Sequence, residues 1–322
     1  MIDSIPIVGT WWMWSGFIGF VLAMLAVDLY VFGEHKAHRV SAGQALRWVF
    51  LWISLSLIFN ALLWYYLYHE TQNILLANQK ALEFLSGYIL ELSLSTDNLF
   101  VFLMIFEYFK VPLVYQRRVL LYGILGAIIM RLVMILLGIW FVMKFHWILY
   151  VFGAFLIFTG IKMLTLDNDK DSFEHNPIIN WLKKHLRLTK DFHEEKFFVK
   201  HNGFWHATPL FLVIVFIELS DVIFAVDSIP AIFGITQDPF IIFTSNIFAI
   251  LGLRALYFLL ADLSDKFQYI KYGVSLILMF IGVKMLIVDW YKIPVVYALL
   301  AIISTLFISV LFSIYKTRKP IR

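Results

Sequence analysis

GYILELSLSTDNLFVFLMIF, residues 87 to 106, is long and apolar enough to lie in a membrane, yet it carries Glu91 and Asp97. About twenty helical residues at ~1.5 Å each cross a hydrocarbon core ~30 Å thick. A second stretch, ELSDVIFAVDSIP at residues 218 to 230, sets Glu218, Asp221 and Asp227 in equally apolar surroundings. Charged side chains at that depth are costly, and where they occur they mark a pathway or a site.

The rest of the chain agrees with a membrane setting. Hydrophobic residues fill 61% of the 322 positions and charged residues 15%, against roughly 45–50% and about 25% in soluble domains. Nine apolar runs are long enough to cross, near residues 11–32, 44–67, 81–106, 118–143, 147–165, 208–232, 240–261, 267–288 and 294–315. Runs such as GFIGFVLAMLAVDLYVF (16–32) are continuously apolar rather than alternating, so they predict helices and not barrel strands. The expected fold is all-α, a polytopic membrane protein of about nine transmembrane helices in a lipid bilayer. The start MIDSIPIVGT has no basic region ahead of its apolar run, so no cleaved signal peptide is expected. Cysteine is absent, which removes disulfides and thiolate ligands.

A pI near 9.0 is read as topology rather than nucleic-acid binding, because Lys and Arg gather on the cytoplasmic side of membrane proteins. With the N-terminus outside, the cytoplasmic connections and tail hold Lys36, Arg39, Arg47, Lys110, Arg117, Arg118, Lys266, Lys271, Lys316, Arg318, Lys319 and Arg322. The opposite connections hold Lys80, Lys144 and Lys292. That bias predicts an outside N-terminus and a cytoplasmic C-terminus. The long connection at 166–207 is read as a solvated cytoplasmic loop with short amphipathic helices. Its histidines, His175, His185, His193, His201 and His206, match no metal-ligand spacing.

An internal repeat organises the middle of the chain. FTGIKMLTLD (158–167) and FIGVKMLIVD (280–289) share Phe, Gly, Lys, Met, Leu and Asp. Arg131 and Arg254 precede them at similar offsets, and Asp97-Asn98 matches Asp227-Ser228. Each copy covers three spans, so adjacent copies run oppositely across the bilayer. An inverted repeat of three plus three helices is expected, the arrangement of many secondary transporters, whose sites lie near the midplane. Residues 1–80 then supply two peripheral helices, 81–165 the first copy, 166–207 the loop, 208–288 the second copy, and 289–322 a last helix with a basic tail.

Helical spacing places Glu91, Ser95 and Asn98 on one stripe, with Asp97 about 100° to its side. Asp221, Ala225 and Ser228 form the matching stripe, with Asp227 beside it and Glu218 a turn earlier. Pro230 is expected to bend or break its helix just beyond and free carbonyls. Facing antiparallel copies would gather Glu91, Asp97, Asn98, Asp221, Asp227 and Ser228 around one cavity. Carboxylate, amide and hydroxyl oxygens suit a hard divalent cation such as Mg²⁺, Ca²⁺ or Mn²⁺, and the negative charge disfavours an oxyanion.

The plainer alternative makes these acids interhelical glue, with Arg131 and Arg254 as structural counter-charges. Asp28 and Asn60, outside the repeat, either border an entrance or satisfy interhelical hydrogen bonds. Lys162 and Lys284 are expected to snorkel to the interface. Trp11, Trp12, Trp64 and Trp147 near span ends fit interfacial belts.

At LELSLSTDNLFVF (90–102) and IELSDVIFAVDSIPAIF (217–233) the chain resembles the TerC family of integral membrane proteins, and within it the Alx branch. The likeness continues through SLIFNALLWYY (56–66), QRRVLLYGILGA (116–127), YVFGAFLIFTGIKM (150–163) and TSNIFAILGLRALYFLLA (244–261). It implies a fold near the LysE-type exporters, residence in a bacterial cytoplasmic (inner) membrane, and Mn²⁺ export for Alx-like members. Other members are linked to tellurite resistance or to metal supply for secreted enzymes. The family's acidic motifs fall on Glu91, Asp97, Asn98, Glu218, Asp221, Asp227 and Ser228. Mn²⁺ is what the resemblance implies; the residues alone reach a hard divalent cation.

The expected function is a secondary transporter exporting that cation, with protons as the returning ion. No prosthetic group and no enzymatic activity are expected, and no nucleotide-binding G-x-x-x-x-G-K-[ST] loop occurs. Three rivals remain: a proton or Na⁺ pathway for pH homeostasis, a subunit delivering metal or assisting membrane insertion, and an aspartyl hydrolase using Asp97 and Asp227. The last lacks the G-x-G-D motif of intramembrane aspartyl proteases.

Overall fold

The computed structural model describes residues 8–33, 42–145, 147–165, 189, 192–193, 196–201, 204–261, 270–291 and 293–317. Among them run nine helices: α1 (Trp11–Gly33), α2 (Ala42–Thr71), α3 (Ile74–Tyr108), α4 (Leu113–Lys144), α5 (Ile148–Thr165), α6 (Pro209–Phe233), α7 (Pro239–Ala261), α8 (Ile270–Leu286) and α9 (Val295–Thr317). A hairpin of β1 (Phe198–His201) and β2 (Phe204–Ala207) lies between α5 and α6. In hydrocarbon every backbone polar group must be satisfied within its own segment, which is why apolar runs of this length become helices.

Five stretches are long and apolar enough to cross a membrane: Gly43–Thr71, Leu113–Trp140, Pro209–Phe233, Pro239–Leu259 and Val296–Ser313. Three more, Trp11–Val27, Leu149–Leu164 and Tyr272–Leu286, are apolar but shorter. The remaining helix, α3, carries Lys80, Glu83, Glu91, Asp97 and Glu107. It also starts at Ile74, ahead of the expected residue 81, because the Asn73 side chain accepts hydrogen bonds from the N–H groups of Leu75 and Leu76 at 3.0 and 3.2 Å. At its other end Lys110 adopts φ 51° and Val111 N–H bonds back to Phe106 O at 2.9 Å. That is a Schellman stop, and Pro112 follows it.

α7 forms the centre of the packing. Its apolar span is 94% buried, against 17% for α2 and 28% for α9. The outer helices present Phe50, Leu62, Phe307 and Ile308 on the surface, as a chain surrounded by lipid does. Phe17, Phe59 and Phe248 join α1, α2 and α7, with ring centroids 5.1 to 5.6 Å apart.

Three helix pairs hold the middle together: α3 on α7, α4 on α6, and α5 on α8. The last is the closest. A Cβ on Gly153 would stand 2.9 Å from Gly282 O, and one on Gly160 2.8 Å from Ser275 O. Glycine alone allows this approach, and the pairing of Gly153 with Gly282 and Gly160 with Ser275 makes α5 and α8 antiparallel. The Tyr150 hydroxyl at the start of α5 donates to Asp289 just past α8, and Ser275 donates to Gly160 O.

Two expectations are corrected. α6 is not broken at Pro230: the helix continues to Phe233, and Gly234 N–H bonds the carbonyls of Pro230 and Ala231. Only the break is corrected: proline has no N–H, so the carbonyl four residues back still loses its helical partner as expected, while the helix runs on through its final turn. The described end of the 166–207 connection is not helical but a hairpin, Phe198 paired with Ala207 and His201 with Phe204. The dipeptide between its strands, Asn202-Gly203, is the hairpin signal that a helix expectation overlooks. Phe198 packs on Phe211 of α6 at 4.6 Å, and Phe197 lies under Arg118 of α4 at 5.5 Å. Most of that connection, with His175 and His185, lies outside the described residues.

Candidate cation site

α3 and α6 bring their acidic stripes to one buried residue, Arg131 of α4, whose exposure is 0%. Its guanidinium pairs directly with Glu91 and stands 3.5 Å from Asp221 Oδ1. Nη1 also donates to Asn246 Oδ1 at 2.9 Å and to Ser228 Oγ at 3.4 Å. Asn246 is oriented by its own amide, which donates to Ile242 O at 2.9 Å and so turns its carbonyl toward Arg131. Ser95 donates to Glu91 Oε1 at 2.6 Å. Four helices, α3, α4, α6 and α7, thus meet at one point.

At Arg131 two carboxylates face one guanidinium, and Arg254 stands on the far side of Asp221 across a small cavity. Among the described residues Asp221 Oδ2, Arg131 Nε and Arg131 Nη2 are buried without hydrogen-bond partners, and an unsatisfied buried charged atom is expensive. Beside Asp221 lies a cavity of about 20 Å³, lined also by Leu99, Phe102, Gly123, Ala127 and Arg254. That volume holds about one water molecule or one small ion.

The remaining expected residues divide as follows. Asn98 is buried on the same face of α3. Glu218 presses its carboxylate onto Gly126 of α4 so closely that a Cβ there would overlap it. Asn60 Oδ1 is buried on α2 with no hydrogen-bond partner among the described residues. The side chains of Asp97, Asp227 and Asp28 lie outside the described residues. Among the described residues, no three His, Cys, Asp or Glu side chains converge as metal ligands. With Arg131 seated between the two acids, the described part of the site is a carboxylate pair already holding a cation.

A second buried charge cluster was not foreseen. Lys80, counted from the sequence as a sparse topology charge, is only 1% exposed. Its ammonium lies 3.0 Å from Glu83 and 3.4 Å from Asp238. Glu83 accepts from the Thr236 hydroxyl at 2.7 Å and from the Gln79 amide at 2.9 Å, and Asp238 accepts from Val8 N–H at 2.9 Å while capping α7 through Phe240 N–H. Lys284 of α8 is also buried, at 8% exposure, within electrostatic reach of Glu83. This corrects the snorkelling expectation for Lys284; Lys162, its counterpart, is exposed. The available signals were the i, i+3 spacing of Lys80 and Glu83 and the polar Thr236 and Asp238 just ahead of α7. Asn246 was missed too, although Thr244-Ser245-Asn246 interrupts an apolar helix.

Residues 76–320 match the family model described as "Integral membrane protein TerC family". The chain belongs to the TerC family. It is therefore an integral multi-pass membrane protein. A Salmonella typhi relative named "Putative membrane-bound redox modulator Alx" is 52% identical over 306 residues, covering 95% of each chain. The relative of the same name from Escherichia coli (strain K12) is 54% identical over 292 residues, 91% of each. A Myxococcus xanthus relative, "Uncharacterized membrane protein STKORF319", is 45% identical over 98% of this chain and 96% of its own. No solved structure matches this TerC chain.

Proposed function

We propose that this TerC protein exports a hard divalent cation, Mn²⁺ in the first instance, through the acidic site at Glu91 and Asp221, in exchange for protons. The observation that carries the reading is the convergence of Glu91 and Asp221, equivalents in the two sequence copies, on a single guanidinium beside a small cavity. A buried carboxylate pair at the meeting of four helices is what a cation pathway requires.

The contact pattern supports an inverted three-plus-three repeat related to the LysE-type arrangement. Exchanging α3, α4 and α5 for α6, α7 and α8 turns the α3–α7 pair into the α6–α4 pair and returns α5–α8 to itself. The contacts Gly153–Gly282 and Gly160–Ser275 exchange with each other under the same operation. Two such halves can rock about the shared site and open it to either side in turn. Moving a divalent ion outward against an inside-negative potential costs about 4 to 5 kcal/mol per 100 mV, which a returning proton flow offsets. The distribution of basic residues supports an N-terminus outside a bacterial inner membrane and a tail in the cytoplasm.

The relatives' name attaches a redox role to them. In a chain without cysteine, such an effect has no thiol to act through, and export of a redox-active cation supplies one route. The test is flux by purified protein in liposomes, with Mn²⁺ and pH followed separately for the wild type, Glu91→Gln and Asp227→Asn. Mn²⁺ movement coupled to opposite proton movement, lost in both variants, is expected. A pH change without metal flux would establish the proton or Na⁺ pathway instead. No flux of either ion from folded protein would leave the metal-delivery or insertion-partner reading.

A further inference from the structure

We propose that Arg131 is a built-in monovalent cation that occupies the empty site and makes it selective for divalent over monovalent ions. This inference rests on the cation-transport reading above and deepens it.

Three observations converge. Arg131 is fully buried, and its guanidinium reaches Glu91 on α3 and Asp221 on α6, the two acids that correspond between the sequence copies. It is not the fully bonded arginine of a structural ion pair: Nη2 meets Asp221 Oδ1 only at 3.5 Å, and among the described residues Nε and Asp221 Oδ2 have no hydrogen-bond partner. Nη1, the nitrogen that meets Glu91, is also received by Asn246 and Ser228, so two neutral acceptors are in place for a guanidinium that has given up one carboxylate.

Charge arithmetic then sets the selectivity. Glu91, Asp221 and Arg131 together carry a net charge of −1, and Arg254 and Glu218, which also adjoin Asp221, keep their charges whichever cation the acids hold. A sodium or potassium ion that displaces Arg131 supplies the same single charge to the acids and leaves a buried guanidinium short of its partners. It gains nothing in the exchange. A divalent ion brings twice the charge and binds carboxylate oxygens directly, so it can outbid the arginine. The internal cation also stabilises the unloaded carrier, whose acids would otherwise stand buried and unpaired while the protein returns to collect its next ion. Removing it should tighten Mn²⁺ binding and slow turnover together. A purely structural arginine would weaken both.

The experiment compares the wild type, Arg131→Gln and Arg131→Lys in detergent and in liposomes, after melting curves have established that each is folded. Mn²⁺ binding is titrated in choline chloride and in sodium chloride of equal ionic strength, and Mn²⁺ flux is measured alongside. In choline, Arg131→Gln should bind Mn²⁺ about tenfold more tightly, as expected if an occupied state populated about ten to one has been removed. Sodium should reverse that gain while leaving the wild type unaffected, and flux should fall. Arg131→Lys keeps the charge but cannot bridge both acids, so it should bind Mn²⁺ at least as tightly as the wild type and still ignore sodium. If Arg131→Gln is not recovered folded, the lysine variant decides: weaker Mn²⁺ binding than the wild type overturns the inference. A folded Arg131→Gln with unchanged or weaker affinity, or with no sodium sensitivity, overturns it as well. A wild type that moves no Mn²⁺ removes the transport reading and this one with it; normal wild-type flux with an unaltered glutamine variant removes this one alone.

Discussion

Glu91 and Asp221 sit on different helices and share one guanidinium: Arg131 pairs with the first and lies 3.5 Å from the second. Breaking one side of such a buried arrangement leaves an uncompensated charge, whereas removing the charges together does not. Arg131→Gln, which leaves both acids without their shared countercharge, is therefore expected to lower stability by about 3 to 5 kcal/mol, and Arg131→Gln combined with Glu91→Gln and Asp221→Asn by clearly less. Thermal unfolding of Arg131→Gln, of the Glu91→Gln/Asp221→Asn variant and of the triple variant in one detergent measures the coupling. An additive result would show that the arginine and the two acids do not interact.

Gly126 and Glu218 form a second coupled pair. A Cβ at position 126 would overlap the Glu218 carboxylate, so Gly126→Ala should force that side chain away and cost about 1 to 3 kcal/mol, the usual penalty for overpacking. Shortening the opposing residue removes the clash. Gly126→Ala with Glu218→Ala should melt closer to Glu218→Ala alone than Gly126→Ala melts to the wild type.

The Lys80–Glu83–Asp238 cluster ties the start of α3 to the start of α7. Glu83→Gln leaves two buried lysines, Lys80 and Lys284, without their nearest countercharge, and a loss of about 3 to 5 kcal/mol is expected. Replacing Lys80 and Glu83 together by methionine should cost less than Glu83→Gln, as buried pairs exchanged for apolar groups of similar size usually do. Denaturation midpoints compare the two.

Orientation can be read chemically, because the chain has no cysteine to interfere. Lys110 and Lys144 are exposed near opposite ends of α4. With the proposed outside N-terminus, a membrane-impermeant maleimide should label Lys144→Cys in intact cells. Lys110→Cys should be labelled only in everted vesicles. The reverse pattern would invert the proposed topology.

Much of this was legible in the residue order. Apolar runs located the nine described helices to within a few residues, except at the start of α3, because in lipid the backbone has no alternative to bonding within its own segment. The i, i+4, i+7 stripes put Glu91, Ser95, Asn98, Asp221 and Ser228 in view because helical geometry is fixed by the chain alone. Pro230 misled, because the effect of a proline depends on how much helix follows it. The hairpin at Phe198–Ala207 was legible in the local Asn202-Gly203 signal, and it was overlooked because the connection around it is polar and read as loop and helix.

What the amino-acid order could not supply was partnership between helices. Lys80 and Lys284 read as surface charges until α3, α7 and α8 packed around them, and Arg131 read as one of two equivalent counter-charges. Burial and charge pairing are long-range properties: Arg131 reaches Asn246 across 115 positions and Ser228 across 97. The chain determines which side chains are ionisable and on which face of a helix they stand. The packing of four helices onto one point determines that two acids answer to a single arginine.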